Sequence, residues 1–190
     1  MPSSLVVADT GPLLNLMATG RAEAIVEVLE LELVMSRMAR DEARFVLADP
    51  DSSGQKARVP VSTKALEEAG RLRCLDHREP AFAAPFVQAA AQLGDQDASC
   101  IALAAILQTR LLADDGKVRR VARELFPELA LWSTTEVLHD VCAALSLDEK
   151  ETLELVRRVR VRANFGVPHR SRPPRWEWYK QLVERAGCTP

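Results

Sequence analysis

The chain has 190 residues with a formal net charge of −2, of which 47% are hydrophobic and 27% charged. This length fits one domain with a small appendage, and this ordinary globular composition excludes extensive disorder. A protein that holds nucleic acid through its overall field would be basic. Any contact with nucleic acid must therefore come from local patches.

Cysteine and histidine show no ligand or disulfide pattern. The cysteines are Cys74, Cys100, Cys142 and Cys188, and the histidines are His77, His139 and His169. None of the cysteines forms a CxxC pair, which favours reduced thiols in a cytoplasmic protein. The N-terminus has no basic region followed by an apolar stretch, and the longest uncharged run, residues 81–94, is too short and polar to span a bilayer. We expect a soluble cytoplasmic protein with no membrane contact.

The first half of the chain alternates strand and helix patterns. Residues 4–8 (SLVVA) predict a buried strand that ends at Asp9, followed by a Thr10-Gly11-Pro12 turn. Helices are predicted over 13–18, 22–31, 37–47 and 62–70, and strands over 33–35, 59–61 and 72–75. Residues 49–58 read as a polar loop.

The second half continues this alternation. Two helices are predicted over 81–93 and 95–108, separated by Gly94. A strand over 110–113 follows and ends before Asp114 and Asp115. A helix over 117–125 then precedes a strand over 129–132. Ser133 with Glu136, and Ser146 with Glu149, predict capping boxes for two further helices. Alternating strands and helices predict an α/β fold with a central parallel sheet covered on both faces.

The last part of the chain differs in character. We divide the chain into a main domain, 1–145, and a helical C-terminal extension with a basic aromatic tail, 146–190. The basic residues of this tail are His169, Arg170, Arg172 and Arg175, and its aromatic residues are Trp176, Trp178 and Tyr179. Such a tail can stack bases and bind phosphates. The helical spacing of Trp176, Tyr179 and Val183 favours docking on the domain or on a second subunit instead.

Several acids are predicted to converge at one edge of this sheet. Asp9 and the pair Asp114–Asp115 follow buried strands, and ligands of parallel sheets lie at the carboxyl ends of strands. Glu42 shares a predicted helical face with Met38 and Val46. Asp97 shares the inward face of its helix with Cys100, Ile101 and Ala104.

Buried like charges are costly without a counter-ion, and Mg2+ and Mn2+ prefer oxygen ligands. A divalent cation held by carboxylates suits phosphodiester hydrolysis. Each acid also has a structural interpretation. Asp9 and Asp115 are candidate helix caps, Asp97 a first-turn acid facing the helix dipole and Glu42 a surface residue.

Four segments resemble the PIN-domain family. They are VVADTGPLLNLMATG (6–20), VMSRMARDEA (34–43), LGDQDASCIALA (93–104) and LLADDGKVRRVARE (111–124). The resemblance covers roughly residues 4–145. It implies a three-layer α/β/α fold whose catalytic and metal-binding acids match Asp9, Glu42, Asp97 and Asp115, with Asp114 as neighbour or substitute for the last.

Members of this family are endoribonucleases that use Mg2+ or Mn2+, and many are the toxins of VapC-type toxin–antitoxin pairs. The resemblance therefore implies an RNA substrate, an antitoxin partner and a homodimer. The chain departs from a minimal toxin by an insert near 49–62 and by its C-terminal extension. Its third acid, Asp97, stands where the most similar subgroup often has glutamate, and Thr134 and Thr135 stand where the family often has a threonine or serine near the site.

Three arginines follow Asp115 on one predicted helix. These residues, Arg119, Arg120 and Arg123, are predicted on the outer face of the helix, where they either contact phosphates or form a solvated surface.

Two other functions are alternatives to the nuclease. A haloacid-dehalogenase-like phosphohydrolase would need a second aspartate where this chain has Gly11. The other rival is a non-catalytic PIN-like scaffold that binds RNA or protein.

Overall fold

The computed structural model describes residues 4–76, 80–166 and 173–188. The first half of the chain forms β1 (Ser4–Ala8), α1 (Thr10–Ala18), α2 (Ala22–Val28), β2 (Leu31–Ser36), α3 (Arg37–Glu42), β3 (Phe45–Leu47), β4 (Arg58–Pro60), α4 (Lys64–Glu68) and β5 (Leu72–Leu75). The second half forms α5 (Pro80–Ala90), α6 (Asp95–Ile106), β6 (Arg110–Leu112), α7 (Gly116–Leu125), β7 (Leu131–Trp132), α8 (Thr134–Ala144), α9 (Glu149–Arg162) and α10 (Trp176–Arg185). His77, His169, Arg170 and Arg172, which the sequence analysis names, lie outside the described residues.

Five parallel strands form the central sheet in the order β5-β2-β1-β6-β7. The central strand β1 buries Val6, Val7 and Ala8 completely, because both of its edges are paired and helices cover its faces. The predicted central parallel sheet is confirmed. Since all five strands run the same way, their carboxyl ends meet at one edge.

Two groups of helices flank this sheet. In one group, α1 packs against α2, α8 and α9, and α2 contacts β2. In the other, α6 packs against α3, α5 and α7 and contacts β1, β2 and β6. This layering is that of an α/β/α fold. Because α6 connects parallel strands, it runs opposite to them, and its first turn lies at the carboxyl edge.

The predicted helix over 37–47 is wrong beyond Glu42. Residues 45–47 form β3 and pair antiparallel with β4, in a separate two-stranded hairpin. The run Phe45-Val46-Leu47 has aromatic and β-branched residues that favour a strand, and it finds its partner across the polar loop. The predicted helix over 22–31 also ends early, since Leu31 begins β2.

The C-terminal helices pack on the rest of the chain. The predicted capping box at Ser146 is wrong, because Asp148 caps α9 and forms that box with Glu151. The helix α9 packs against α1 and β3, and α10 packs against α8 and α9. Tyr179 and Val183 are buried, so this face of α10 docks within the same chain.

No helix among the described residues is both long enough and apolar enough to cross a membrane.

Candidate active site at the carboxyl edge of the sheet

Asp9 is the most deeply buried acid at the carboxyl edge. It follows β1 directly and caps α1, and its Oδ1 accepts a hydrogen bond from the backbone N–H of Thr10 at 2.7 Å. The thiol of Cys100 lies 3.8 Å from the same oxygen. Only 8% of Asp9 is exposed. Within the described part of the chain, Oδ2 of Asp9 accepts no hydrogen bond and no lysine or arginine forms an ion pair with the residue.

Burial raises the pKa of Asp9 from an ordinary 3.8 to about 7. The hydrogen bond from Thr10 opposes this shift, but repulsion from Asp97, Asp114 and Glu42 adds to it. These three acids come from different elements. The fold therefore places Asp97, Asp114 and Glu42 near Asp9. The sequence indicated Asp115 as the fourth acid, with Asp114 as its neighbour or substitute.

Asp97 lies in the first turn of α6 and is half-buried. Burial raises its pKa, and repulsion from Asp115 and Glu42 raises it further, while the nearby charge of Lys117 lowers it. The inward orientation predicted from its helical face holds only in part. Cys100, Ile101 and Ala104 on that face are completely buried, whereas Asp97 itself is half-buried.

Glu42 is exposed, so the prediction that it faces the core is wrong. That prediction extended a helical face to Val46, but α3 ends at Glu42, and Met38 on the same face is 49% exposed. The amide nitrogen Nε2 of Gln96 donates hydrogen bonds to the Glu42 carboxylate and to Oγ1 of Thr10, the latter at 2.7 Å. Glu42 therefore lies at the rim of the site.

The two acids after β6 have different environments. Asp115 is exposed and caps α7, accepting hydrogen bonds from the backbone N–H groups of Lys117 and Val118 at 2.7 and 3.0 Å. Asp115 is therefore a helix cap, which was the structural alternative predicted for it. Asp114 is partly buried and points to different neighbours, Asn15 and Thr134.

A network of hydrogen bonds fixes the Asp114 carboxylate. Its Oδ2 accepts from Nδ2 of Asn15 at 3.0 Å and from Oγ1 of Thr134 at 2.5 Å, and its Oδ1 accepts from the backbone N–H of Thr134 at 2.8 Å. Burial raises the pKa of Asp114, whereas the hydrogen bonds from Thr134 and the charge of Arg119 lower it. The carboxylate next to Asp9 is thus held in one orientation.

The prediction that Arg119 faces outward is wrong. Only 3% of this residue is exposed, and its guanidinium donates to the carbonyl oxygens of Ala113 and Trp132 at 2.9 and 2.8 Å. Its long side chain reaches from α7 under the ends of β6 and β7. Arg119 therefore braces the segment that carries Asp114, while Arg120 and Arg123 are exposed as predicted.

A cleft of about 610 Å³ opens beside these acids. Its acidic lining comes from Asp9, Glu42 and Asp97, and its basic lining from Arg44 and Arg162. The strand β3 also lines this cleft. The lining of the cleft therefore carries both negative and positive side chains, which suits a ligand that bridges a cation and an anion.

The acids do not form a ready-made metal cage. Across residues 4–76, 80–166 and 173–188, no group of three or more His, Cys, Asp or Glu side chains is arranged to hold a metal ion. Two of the predicted ligands have other partners, Glu42 with Gln96 and Asp115 with the start of α7. Like-charged carboxylates also repel one another when no cation lies between them.

Sequence reasoning missed three polar residues of this edge, namely Asn15, Gln96 and Arg162. Asn15 could have been identified from the sequence, since a polar residue inside the apolar run LLNLMA is buried and needs a hydrogen-bond partner. No sequence pattern indicated a role for Gln96 or Arg162, because their neighbours come from distant parts of the chain. Asp97 was found from its helical face and from the resemblance, and the threonine pair at 134–135 from the resemblance alone.

Comparison of the chain with the models of known protein families, with curated proteins and with solved structures found no match.

Proposed function

We propose that the chain is a metal-dependent endoribonuclease of the PIN-domain type, with its active site at the carboxyl edge of the sheet. The observation that carries this proposal is Asp9. It is a buried carboxylate without a cationic partner among the described residues, and acids from three other elements repel it. Such an arrangement is unfavourable by itself and becomes favourable when a divalent cation is bound.

The residues present fit a hydrated cation rather than a fully enclosed one. Mg2+ commonly takes one or two carboxylates and completes its shell with water and substrate phosphate oxygens. The free Oδ2 of Asp9 and the half-buried Asp97 are the ligands that we propose, with Asp114 held beside them. Glu42 and Asp115 flank this centre as further negative charges.

When bound, a divalent cation would make a water molecule more acidic and neutralise charge on the phosphate. The residues of the chain have supporting roles. Asn15 and Thr134 keep Asp114 oriented by donating hydrogen bonds to it, and Arg119 holds the backbone before it. No nucleophilic side chain is required, because water attacks the phosphorus directly.

RNA as the substrate, a toxin role and an antitoxin partner enter this proposal through the resemblance to PIN-domain proteins. A non-catalytic scaffold with the same fold is the alternative that a metal titration excludes most directly. A scaffold has no reason to bind Mn2+ through Asp9 or Asp97.

We expect millimolar Mn2+ to raise the melting temperature of the full chain by roughly 3–8 °C, since the cation binds only the folded acid cluster. Asp97→Asn should remove at least half of this shift, because a neutral amide is a much weaker ligand. Differential scanning calorimetry with Mn2+ and with EDTA measures both quantities.

The matched control is Asp95→Asn, which neutralises an exposed acid in the same turn of α6. It should leave the Mn2+ shift unchanged. If the wild-type transition does not move with Mn2+, or if both variants respond equally, the acid cluster is not a metal site.

A further inference from the structure

The β3–β4 hairpin has features that the proposed active site does not use. Its strand β3 lines the acidic cleft through Phe45, Val46 and Leu47. Phe45 is 36% exposed, although phenylalanine is among the residues most often buried. The Arg58 guanidinium lies 4.3 Å from the centre of the Phe45 ring, so arginine covers one face of this ring.

The arginines of the hairpin differ from those of α9 in their partners. Arg157 and Arg158 pair with Glu154, and Arg162 pairs with Asp49 at 2.5 Å. Arg44 and Arg58, in contrast, form no ion pair with any carboxylate of the described residues. The Nε of Arg44 donates only to the backbone carbonyl of Asp41, at 3.2 Å. The positive charge of the hairpin is therefore available to an external anion.

The hairpin is anchored in place. Besides the ion pair between Arg162 and Asp49, Nζ of Lys56 donates to the carbonyl oxygen of Val161 at 3.0 Å. Asp51 closes the turn by accepting from the backbone N–H groups of Ser53 and Gln55 at 2.8 and 2.9 Å. A fixed aromatic ring with a positive charge beside it loses little conformational freedom when it binds a ligand.

We propose that this hairpin is the substrate-binding rim of the cleft, where Phe45 stacks an unpaired base and Arg44 and Arg58 bind the adjoining phosphates of single-stranded RNA. That this single-stranded RNA is a substrate rests on the proposed nuclease function. An aromatic ring stacks only on a base that has left its helical stack, so a duplex does not fit this surface. A strand lying across the hairpin would pass its phosphates along the cleft toward Asp9 and Asp97.

The test is the binding of a fluorescent oligouridylate of about 10 nucleotides to the full chain in EDTA, followed by fluorescence anisotropy. We expect Phe45→Leu to raise Kd about 10-fold because it keeps an apolar side chain but removes stacking, while Phe45→Trp binds like the wild type. Arg58→Met should also weaken binding and reduce the slope of log K against log salt by about 0.7.

The matched controls are Arg21→Met, an exposed arginine at the N-terminus of α2, and Val87→Ala, an exposed apolar residue on α5. Both should bind the oligouridylate like the wild type. The inference is overturned if duplex RNA of the same length binds as tightly as the single strand, or if Phe45→Leu and Arg58→Met bind unchanged. It is equally overturned if these variants leave RNA binding intact and instead dissociate a dimer in sedimentation, since the hairpin would then be a protein interface.

Cleavage by the wild type in Mn2+ separates this inference from the proposed function. If the chain binds the single strand through the hairpin but cuts no RNA, the nuclease proposal fails and the binding surface stands. If the wild type cuts RNA while the hairpin variants bind and cut as it does, only the hairpin inference fails.

Discussion

Asp9→Asn is expected to lower Mn2+-dependent RNA cleavage by at least about 100-fold, the size of effect seen when a central electrostatic group of an active site is removed. Asparagine has nearly the same shape and can still accept the hydrogen bond from Thr10 to Oδ1. The fold should therefore persist, and the loss should come from the missing negative charge. Initial rates on a labelled unstructured RNA measure the effect.

The control for this prediction is Asp95→Asn, which should cut at the wild-type rate. Both variants are purified in parallel, so that a contaminating ribonuclease would appear equally in each. Cleavage by Asp9→Asn at the rate of Asp95→Asn would show that the carboxylate of Asp9 takes no part in the reaction.

The same Asp9→Asn substitution is expected to stabilise the metal-free protein at alkaline pH. The folded-state pKa of Asp9, about 7, lies above its ordinary value of 3.8, so the folded state binds the proton more tightly than the unfolded state. Between these two values, rising pH removes that proton and weakens the folded state. The difference corresponds to at most about 4 kcal/mol above pH 7, and it vanishes only below the unfolded-state pKa of 3.8.

Urea unfolding in EDTA at pH 4.5 and at pH 8 measures this difference. The free energy of unfolding of Asp9→Asn should exceed that of the wild type by only about 1 kcal/mol at the lower pH and by up to about 4 kcal/mol at the higher one. Asp95→Asn should differ from the wild type by less than about 1 kcal/mol at both, since its side chain is exposed in a helical first turn. Equal stability of Asp9→Asn and wild type at pH 8 would mean that Asp9 is not buried among acids.

The parts of the fold that follow from local patterns could be predicted from the sequence. The apolar run before Asp9 forms β1, residues 72–75 form β5, and Gly94 separates two helices, all as expected. In each case the decisive residues are neighbours in the chain. The place of Asp9 at the carboxyl edge also followed, because it ends a parallel strand, and Asp97 was expected there from the inward face of its helix.

The parts that depend on distant partners could not be predicted. Residues 45–47 were predicted as the end of a helix, but they form a strand that pairs with residues 58–60 across the polar loop. The inward reach of Arg119 depends on carbonyl groups at the ends of two strands, not on its position around α7. The different surroundings of Asp114 and Asp115 likewise arise from Asn15 and Thr134, which are remote in the chain.

The most direct test of the central claim is to incubate the purified full chain with a single-stranded RNA in Mn2+ and in EDTA and to identify the product ends by mass spectrometry. We predict cleavage in Mn2+ only, with linear phosphate ends, because water rather than the ribose 2′-hydroxyl attacks the phosphorus. Cleavage that persists in EDTA, products ending in a 2′,3′-cyclic phosphate, or no cleavage at all in Mn2+ would contradict a metal-dependent nuclease at Asp9.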